Sequence, residues 1–399
     1  MPPRVLFVES GESGGGSFHS LAGILEAIDK EAVSPVVAYL NDGPFADRAE
    51  KIGLPVFILR DRLYSTGVSF KLRWNLARIS LALAAVNCSS HIAFLKMVHN
   101  PLVGSLDKIC REREIDLVYL NGQINRDYFG VLLAQRTGLP VVSHLRSMHG
   151  RGFCRLKAES ANRAVASFAA NSRATADYWV SKGLDENKVR VVPNAVSQPE
   201  GPGKDPRDEF GLEPGAPVVG CVGRLIELKG HEFLIRSFAL LLKKVPQAVL
   251  LIIGDGPMEK RLKELAEKLE ISGRVVFAGR RENAPELMGG MDVLVLPSKY
   301  EGSGRVLIEA MVRGTPVIGT DLYGIREIIG HGTDGFLVPY GDEEKLAGFM
   351  DNLLLDDDFA SNMGRAGARK AVEEYSMDRL AQNVAALINE ALQEESGKG

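Results

Sequence analysis

The chain reads as an α/β protein of two doubly wound, Rossmann-like domains, and three observations carry that reading. Short runs rich in Val, Ile and Leu alternate with segments of helical periodicity along the chain. That is the pattern of parallel sheets covered by helices on both faces. The whole alternation then occurs a second time. Between the two series lies Gln198–Ala216, where eight of nineteen residues are Pro or Gly, a composition suited to a linker.

In order, the first series of strands is expected at Arg4–Glu9, Ser34–Leu40, Val56–Leu59, Asp116–Leu120, Val141–His144, Ser167–Ala170 and Val189–Val192. The second is expected at Val218–Val222, Ala248–Ile253, Arg274–Phe277, Asp292–Leu296, Pro316–Gly319 and Gly335–Val338. Most of these runs are too short for helices and too continuously apolar for a sheet with one wet face. Domain bounds follow: 1–197, a linker at 198–216, 217–376, and a closing helical stretch at 377–399. Two such domains bind ligands at the carboxyl ends of their strands, here expected at a central cleft.

Composition sets further bounds. At 399 residues, 45% hydrophobic and 25% charged, the chain is an ordinary globular one. Cys88, Cys110, Cys154 and Cys221 show neither paired nor metal-ligand spacing, so reduced thiols and a cytoplasmic setting are expected. No charged-then-apolar leader precedes Arg4–Glu9, and no run is long enough to span a membrane. The net charge of −3 hides an asymmetry: residues 1–200 carry 24 basic and 19 acidic side chains, and residues 201–399 carry 24 and 32. Residues 51–100 have seven basic and one acidic. With Trp74, Leu76, Ile79, Leu81 and Leu83 among Lys71, Arg73, Arg78 and Lys96, this region suits an amphipathic helix on an anionic membrane. A buried helix with a basic edge fits the same pattern. Nothing points to nucleic acid.

The segment richest in chemistry runs from Pro297 to Met311. Asp292–Leu296 reads as a strand and Val306–Arg313 as a helix closed by Gly314. Glu301 therefore falls in a strand-to-helix loop and Glu309 inside the helix. Amides of Gly304, Arg305 and Val306 at the helix start suit an anion. Phosphates on amides and hydroxyls on two carboxylates together describe a sugar nucleotide.

Here the chain resembles the retaining GT-B glycosyltransferases, glycosyltransferase family 4, whose hallmark is a Glu, seven residues and a second Glu after a Pro-Ser strand end. The resemblance implies that Glu301 contacts the donor sugar and Glu309 the ribose hydroxyls. Ser303 stands where the family usually has Phe, and Arg305 where an apolar residue is frequent. After Val218–Val222, Arg224 and Lys229 match the family's cations for the donor diphosphate. Gly254-Asp255-Gly256-Pro257 resembles the turn beneath the nucleotide, and Phe277 to Arg280 the segment that meets the base. Val192 to Val196 resembles a domain junction, and Met377 to Glu394 a helix that crosses back to the first domain.

In the first domain, the dinucleotide fingerprint fails because His19 occupies its last glycine position. The resemblance makes Gly15 and Gly16 a loop over the donor phosphates. It also makes His144 a strand-end contact to the donor sugar, with His149 as a rival. The acidic run Asp356 to Asp358 reads as a helix start before Phe359, and no metal site is expected. Together the residues and the resemblance predict sugar transfer from a UDP- or GDP-sugar, without metal, to a carbohydrate or lipid-linked acceptor, as in envelope assembly, and retention of configuration is what the resemblance implies. The alternatives are a nucleotide-sugar epimerase and a non-catalytic sugar-nucleotide-binding regulator.

Overall fold

The computed structural model describes residues 1–10, 16–40, 49–59, 79–80, 82, 87–122 and 124–397. Gly15, and Lys71, Arg73, Trp74, Leu76, Arg78, Leu81 and Leu83 of the basic stretch, lie outside the described residues. The chain divides into two compact units, Met1–Asn194 with Met377–Gly399, and Ala195–Ser376.

The first unit is built from β1 (Arg4–Glu9), α1 (Gly16–Ala27), β2 (Ser34–Tyr39), β3 (Val56–Ile58), α2 (Cys88–Glu112), β4 (Leu117–Leu120), α3 (Tyr128–Thr137), β5 (Val141–Leu145), α4 (Arg155–Ala164), β6 (Ser167–Ala170), α5 (Arg173–Ser181) and β7 (Val189–Val191). Its seven parallel strands lie in the order β3-β2-β1-β4-β5-β6-β7. Val5, Leu6, Phe7 and Val8 are all fully buried, because helices cover both faces and leave no polar side to alternate with.

The second unit contains α6 (Pro206–Phe210), β8 (Val218–Val222), α7 (His231–Leu241), β9 (Val249–Ile253), α8 (Glu259–Lys268), β10 (Val275–Gly279), α9 (Ala284–Met288), β11 (Val293–Leu296), α10 (Arg305–Met311), β12 (Val317–Thr320), α11 (Ile325–Ile328), β13 (Phe336–Val338), α12 (Glu343–Leu355) and α13 (Asp357–Glu374). Six parallel strands take the order β10-β9-β8-β11-β12-β13. Asp356 starts α13 as expected, its carboxylate accepting from the Phe359 amide at 2.9 Å. The last helix, α14 (Met377–Ser396), packs on α1, β5 and β6 of the first unit.

Both sheets are the doubly wound kind expected, and every expected strand appears with its ends moved by two residues at most. Two expectations need correction. The Pro/Gly-rich stretch 198–216 holds α6 and is folded onto the second unit. Asp205 caps α6 through the Arg207 amide, Pro206 opens it, and Arg207 pairs with Asp292 below β11. A Cβ on Gly203 would lie 2.8 Å from the Gly289 backbone, so this glycine serves close approach instead of freedom. The cysteines are also not all thiols: Cys88 and Cys154, 6.5 Å apart at Cα, form a disulfide between the start of α2 and the start of α4. Folding brings together two positions that sequence spacing leaves unrelated. Among the described residues, no helix is long and apolar enough to cross a membrane.

Candidate functional site

In the second unit the chain leaves β8 toward β9 and β10, then returns on the other side as β11. The carboxyl ends of β8 and β11 are therefore neighbours, and a crevice opens between the loops that follow them. The loop after β8 is pinned from below. The Leu225 amide donates to the Asp255 carbonyl at 2.7 Å, and Leu225 itself is fully buried. This anchoring leaves Arg224 exposed, its guanidinium without a partner among the described residues. The glycines of the Gly254–Gly256 turn lie under this loop, packed on Gly223 and Leu225.

A single 3-10 turn, Glu227–Lys229, then meets the loop after β11. Gly230 has φ 69°, and a Cβ there would fall 1.9 Å from the Pro297 carbonyl oxygen. The Lys299 amide donates to the Leu228 carbonyl at 2.8 Å. These contacts bring Lys229 Nζ onto Glu301 Oε2, and Ser298 Oγ lies 3.4 Å from the same oxygen. Loop 297–304 is tied to β12 by Thr320 Oγ1, which donates to the Ser298 carbonyl at 2.6 Å.

Gly304, at φ 55°, caps α10 above Leu296, Leu307 and Ile328. Arg305 begins the helix and turns along it, so that Nε donates to Glu309 Oε1 at 2.9 Å. Burial pushes the Glu309 carboxyl up, while Arg305 opposes it. Ser303 and Val306 are half-buried on either side of this cap. Arg280 is exposed at the end of β10, whereas its neighbour Arg281 bonds the Ala278 carbonyl and covers Phe210. His231, buried just past Lys229, is pushed down to about 4 by burial and then by the Lys229 charge.

The structure therefore joins Lys229 to Glu301 and Arg305 to Glu309, with Arg224 nearby in sequence on the first of the two loops. Each carboxylate is held by a cation. Such a site can present cations to phosphates and carboxylates to hydroxyls.

In the first unit the outcome differs from the expectation. β5 continues through Leu145, and His144 is fully buried within it, with Tyr119 Oη 2.6 Å from Nδ1. Burial holds the Tyr119 phenol protonated, and His144 Nε2 is buried without a hydrogen-bond partner among the described residues. Burial, then the Arg146 charge, pushes His144 well below its ordinary value. His144 thus lies inside the strand and enclosed, where a position at the strand end was expected. The side chain at the strand end is Arg146, which donates to the Asn121 carbonyl and amide oxygen at 3.1 Å and to Asn194 Oδ1 at 3.2 Å. Asn121 in turn holds Glu9, and Ser10 holds Asp127.

Sequence reading missed this network. A Glu ending an otherwise apolar strand was the available signal. His149 is exposed, and Gly16 is the first residue of α1.

Residues 204–370 match the family model for glycosyl transferases group 1, and residues 14–198 match that for glycosyltransferase family 4. The N-acetyl-alpha-D-glucosaminyl L-malate synthase of Bacillus anthracis is 30% identical over 189 residues, 47% of this chain and 49% of that protein. The 2-deoxystreptamine N-acetyl-D-glucosaminyltransferase of Streptomyces fradiae is 33% identical over 218 residues, 49% of this chain and 51% of that protein. The chain spans about half the length of the curated relatives it matches. Anabaena HepE, solved with UDP, superimposes with a TM-score of 0.75 at 22% identity, covering 97% of this chain and 99% of that one. Likeness at that level establishes the fold, which is GT-B. With one matching model on each unit, the chain belongs to glycosyltransferase family 4.

Proposed function

We propose that the chain is a retaining glycosyltransferase that moves a sugar, a hexose in the first instance, from a nucleoside diphosphate sugar to an acceptor hydroxyl. One observation carries this reading: Lys229 and Glu301, brought from two loops to one ion pair at the β8/β11 crevice. Arg224 and Lys229 take the diphosphate, aided by amides at Gly304, Arg305 and Val306. Glu309 takes the ribose hydroxyls, Glu301 the donor sugar, and Arg280 lies toward the base. Lys229 has three N–H groups, so it can meet a phosphate oxygen without releasing Glu301.

In the step itself, the bond from the anomeric carbon to the phosphate oxygen breaks while the acceptor oxygen attacks on the same face. The acceptor proton passes to the leaving phosphate oxygen. Charge builds on the diphosphate, where two fixed cations stabilise it and do the work a divalent ion would otherwise do. A double displacement would need a carboxylate under the anomeric carbon, and neither glutamate is assigned that part.

HepE was solved with UDP, which makes uridine nucleotides the first to test, with GDP-sugars beside them. The acceptor is a carbohydrate. A lipid-linked one at an anionic membrane rests on the basic excess of residues 51–100 and is tested by salt-dependent co-sedimentation with anionic vesicles. A thermal-shift panel of UDP, GDP and their sugars tests the central reading. A bound donor at a hundredfold excess over its dissociation constant stabilises the fold by about 2.7 kcal/mol. A panel with no shift for any nucleotide overturns it.

A further inference from the structure

Three described residues other than glycine have positive φ: Glu114 at 49°, Glu270 at 59° and Tyr323 at 39°. The first two follow the ends of α2 and α8, where a left-handed residue lets the next amide close the helix. Ile115 donates to the Cys110 carbonyl at 2.9 Å and Ile271 to the Ala266 carbonyl at 3.0 Å. Tyr323 ends no helix. It stands between β12 and α11 and is 49% exposed.

The backbone is bent there for a visible reason. Gly324 must reach the candidate donor loop: its amide points at the Glu301 carbonyl at 3.4 Å, and a Cβ on it would lie 1.9 Å from the Gly302 carbonyl oxygen. Residue 323 is the hinge of that approach. Glycine or asparagine takes a left-handed conformation with little strain, and a bulky aromatic side chain takes it at a cost. Among the described residues, the ring partner of Tyr323 is Tyr300, met edge-on at 5.1 Å between centroids and 62° between planes. A strained, half-exposed aromatic ring beside a loop that carries Glu301 is poorly explained by stability, and strain of this kind gathers at ligand sites.

We propose that Tyr323 is a donor-sugar contact, its ring covering the apolar C–H face of the sugar whose hydroxyls Glu301 holds. This rests on the reading given under Proposed function. Tyr300 braces the ring from behind, and the strained backbone sets its angle before any ligand arrives. An aromatic ring gives a large contact area at little cost in side-chain freedom.

The test compares Tyr323→Asn and Tyr323→Phe with the wild-type protein, using UDP and UDP-glucose, or GDP and GDP-mannose if the panel selects guanosine. Tyr323→Asn removes the ring and relieves the backbone. Its melting temperature holds or rises, its Kd for the bare nucleoside diphosphate stays at the wild-type value, and its KM for the sugar nucleotide rises about tenfold. Tyr323→Phe keeps the wild-type KM to within about threefold, because the ring face remains. A Tyr323→Asn protein with wild-type KM overturns the inference. So does one whose melting temperature and diphosphate affinity fall together, since that marks a structural residue. A wild-type protein that binds diphosphate while Tyr323→Asn is kinetically silent overturns this inference alone. One that binds no nucleotide overturns the functional reading as well.

Discussion

The two sheets reverse direction in the same way, one between β1 and β4 and the other between β8 and β11, yet they treat charge differently there. In the second unit, the side chains of Lys229, Glu301, Arg305 and Glu309 are between 17% and 26% exposed, and Arg224 is more open still. In the first unit, Glu9, Asn121 and Asp127 are no more than 1% exposed and bond chiefly to neighbouring groups. A strand reversal supplies a crevice in either case. On the proposed reading it becomes a binding site where charges stand within reach of a ligand, as Arg224 and Lys229 do in the second unit. The first unit has turned the same position into a buried brace.

The sharpest test exchanges the two outcomes. Lys229→Ala is expected to cut transfer by about 10²–10³-fold, the usual cost of losing one donor to developing charge, while the melting temperature holds. Arg146→Ala should do the reverse. It strands the oxygens of Asn121 and Asn194 inside the fold, at about 1–3 kcal/mol, and the melting temperature drops. Transfer assays and thermal melts on both variants decide it. If Arg146→Ala abolishes transfer at unchanged stability, the first-unit network belongs to the site and the contrast collapses.

The disulfide gives a second contrast, because it lies wholly in the first unit and closes a separation of 66 residues. The chain-entropy account credits a loop of that size with about 4 kcal/mol, and distortion elsewhere reduces it. Reductant, or Cys88→Ser, should lower the melting temperature by several degrees, leaving the affinity for UDP untouched. A melt indifferent to reductant would show that the two sulfurs do not bond in solution.

These differences also mark what was legible in the sequence. All thirteen strands were readable because a covered parallel strand is a continuous apolar run, a local signal. Glu301, Glu309, Arg224 and Lys229 were candidates because the spaced glutamates and the two cations match the family pattern at places that follow β11 and β8 in the chain. The ion pair between Lys229 and Glu301, 72 residues apart, was not, since strand order decides it. His144 falls inside β5 and not past its end because the strand runs one residue further than expected, to Leu145, and Arg146 is the residue that follows it. Cys88 and Cys154 become neighbours only after α2 and α4 have packed.

Titration separates the units next. Burial pushes Asp127 up to about 7, with the Glu9 charge adding to it and Arg126 and Ser10 opposing. Between the unfolded value of 3.8 and about 7, the folded state keeps a proton that the unfolded state has lost. Stability from this group is therefore fully present below that window and declines as pH rises through it. His144, pushed down, acts oppositely and costs stability as pH falls below 6.5. Asp127→Asn removes only the first effect. The variant should gain on the wild type as pH rises from 4 to 8, read as melting temperature against pH. A difference that stays constant over that range would mean Asp127 is ionised throughout.

The smallest expected effect concerns Arg305, which binds Glu309 within one helix. Helix pairs at this spacing contribute about 0.3–0.5 kcal/mol where they are exposed, and this partly buried Glu309 can take up a proton when Arg305 is lost, so Arg305→Met should move the melting temperature little. The effect on ligand binding is more informative. Burial already pushes the Glu309 carboxyl up, and Arg305 is the group that opposes it. Without Arg305, Glu309 takes a proton at higher pH and meets the ribose hydroxyls uncharged, losing part of a charge-assisted bond roughly twice as strong as a neutral one. UDP affinity should therefore fall by about three- to tenfold near pH 5.5, since each 1.4 kcal/mol is a factor of ten, and by less at pH 8. Arg305→Lys should recover most of it, because the charge returns even though the planar geometry does not. Calorimetric titration of UDP at the two pH values measures the difference. Equal affinities for wild type and Arg305→Met at both would detach the ionisation of Glu309 from nucleotide binding, and with it the feature that sets the second unit apart from the first.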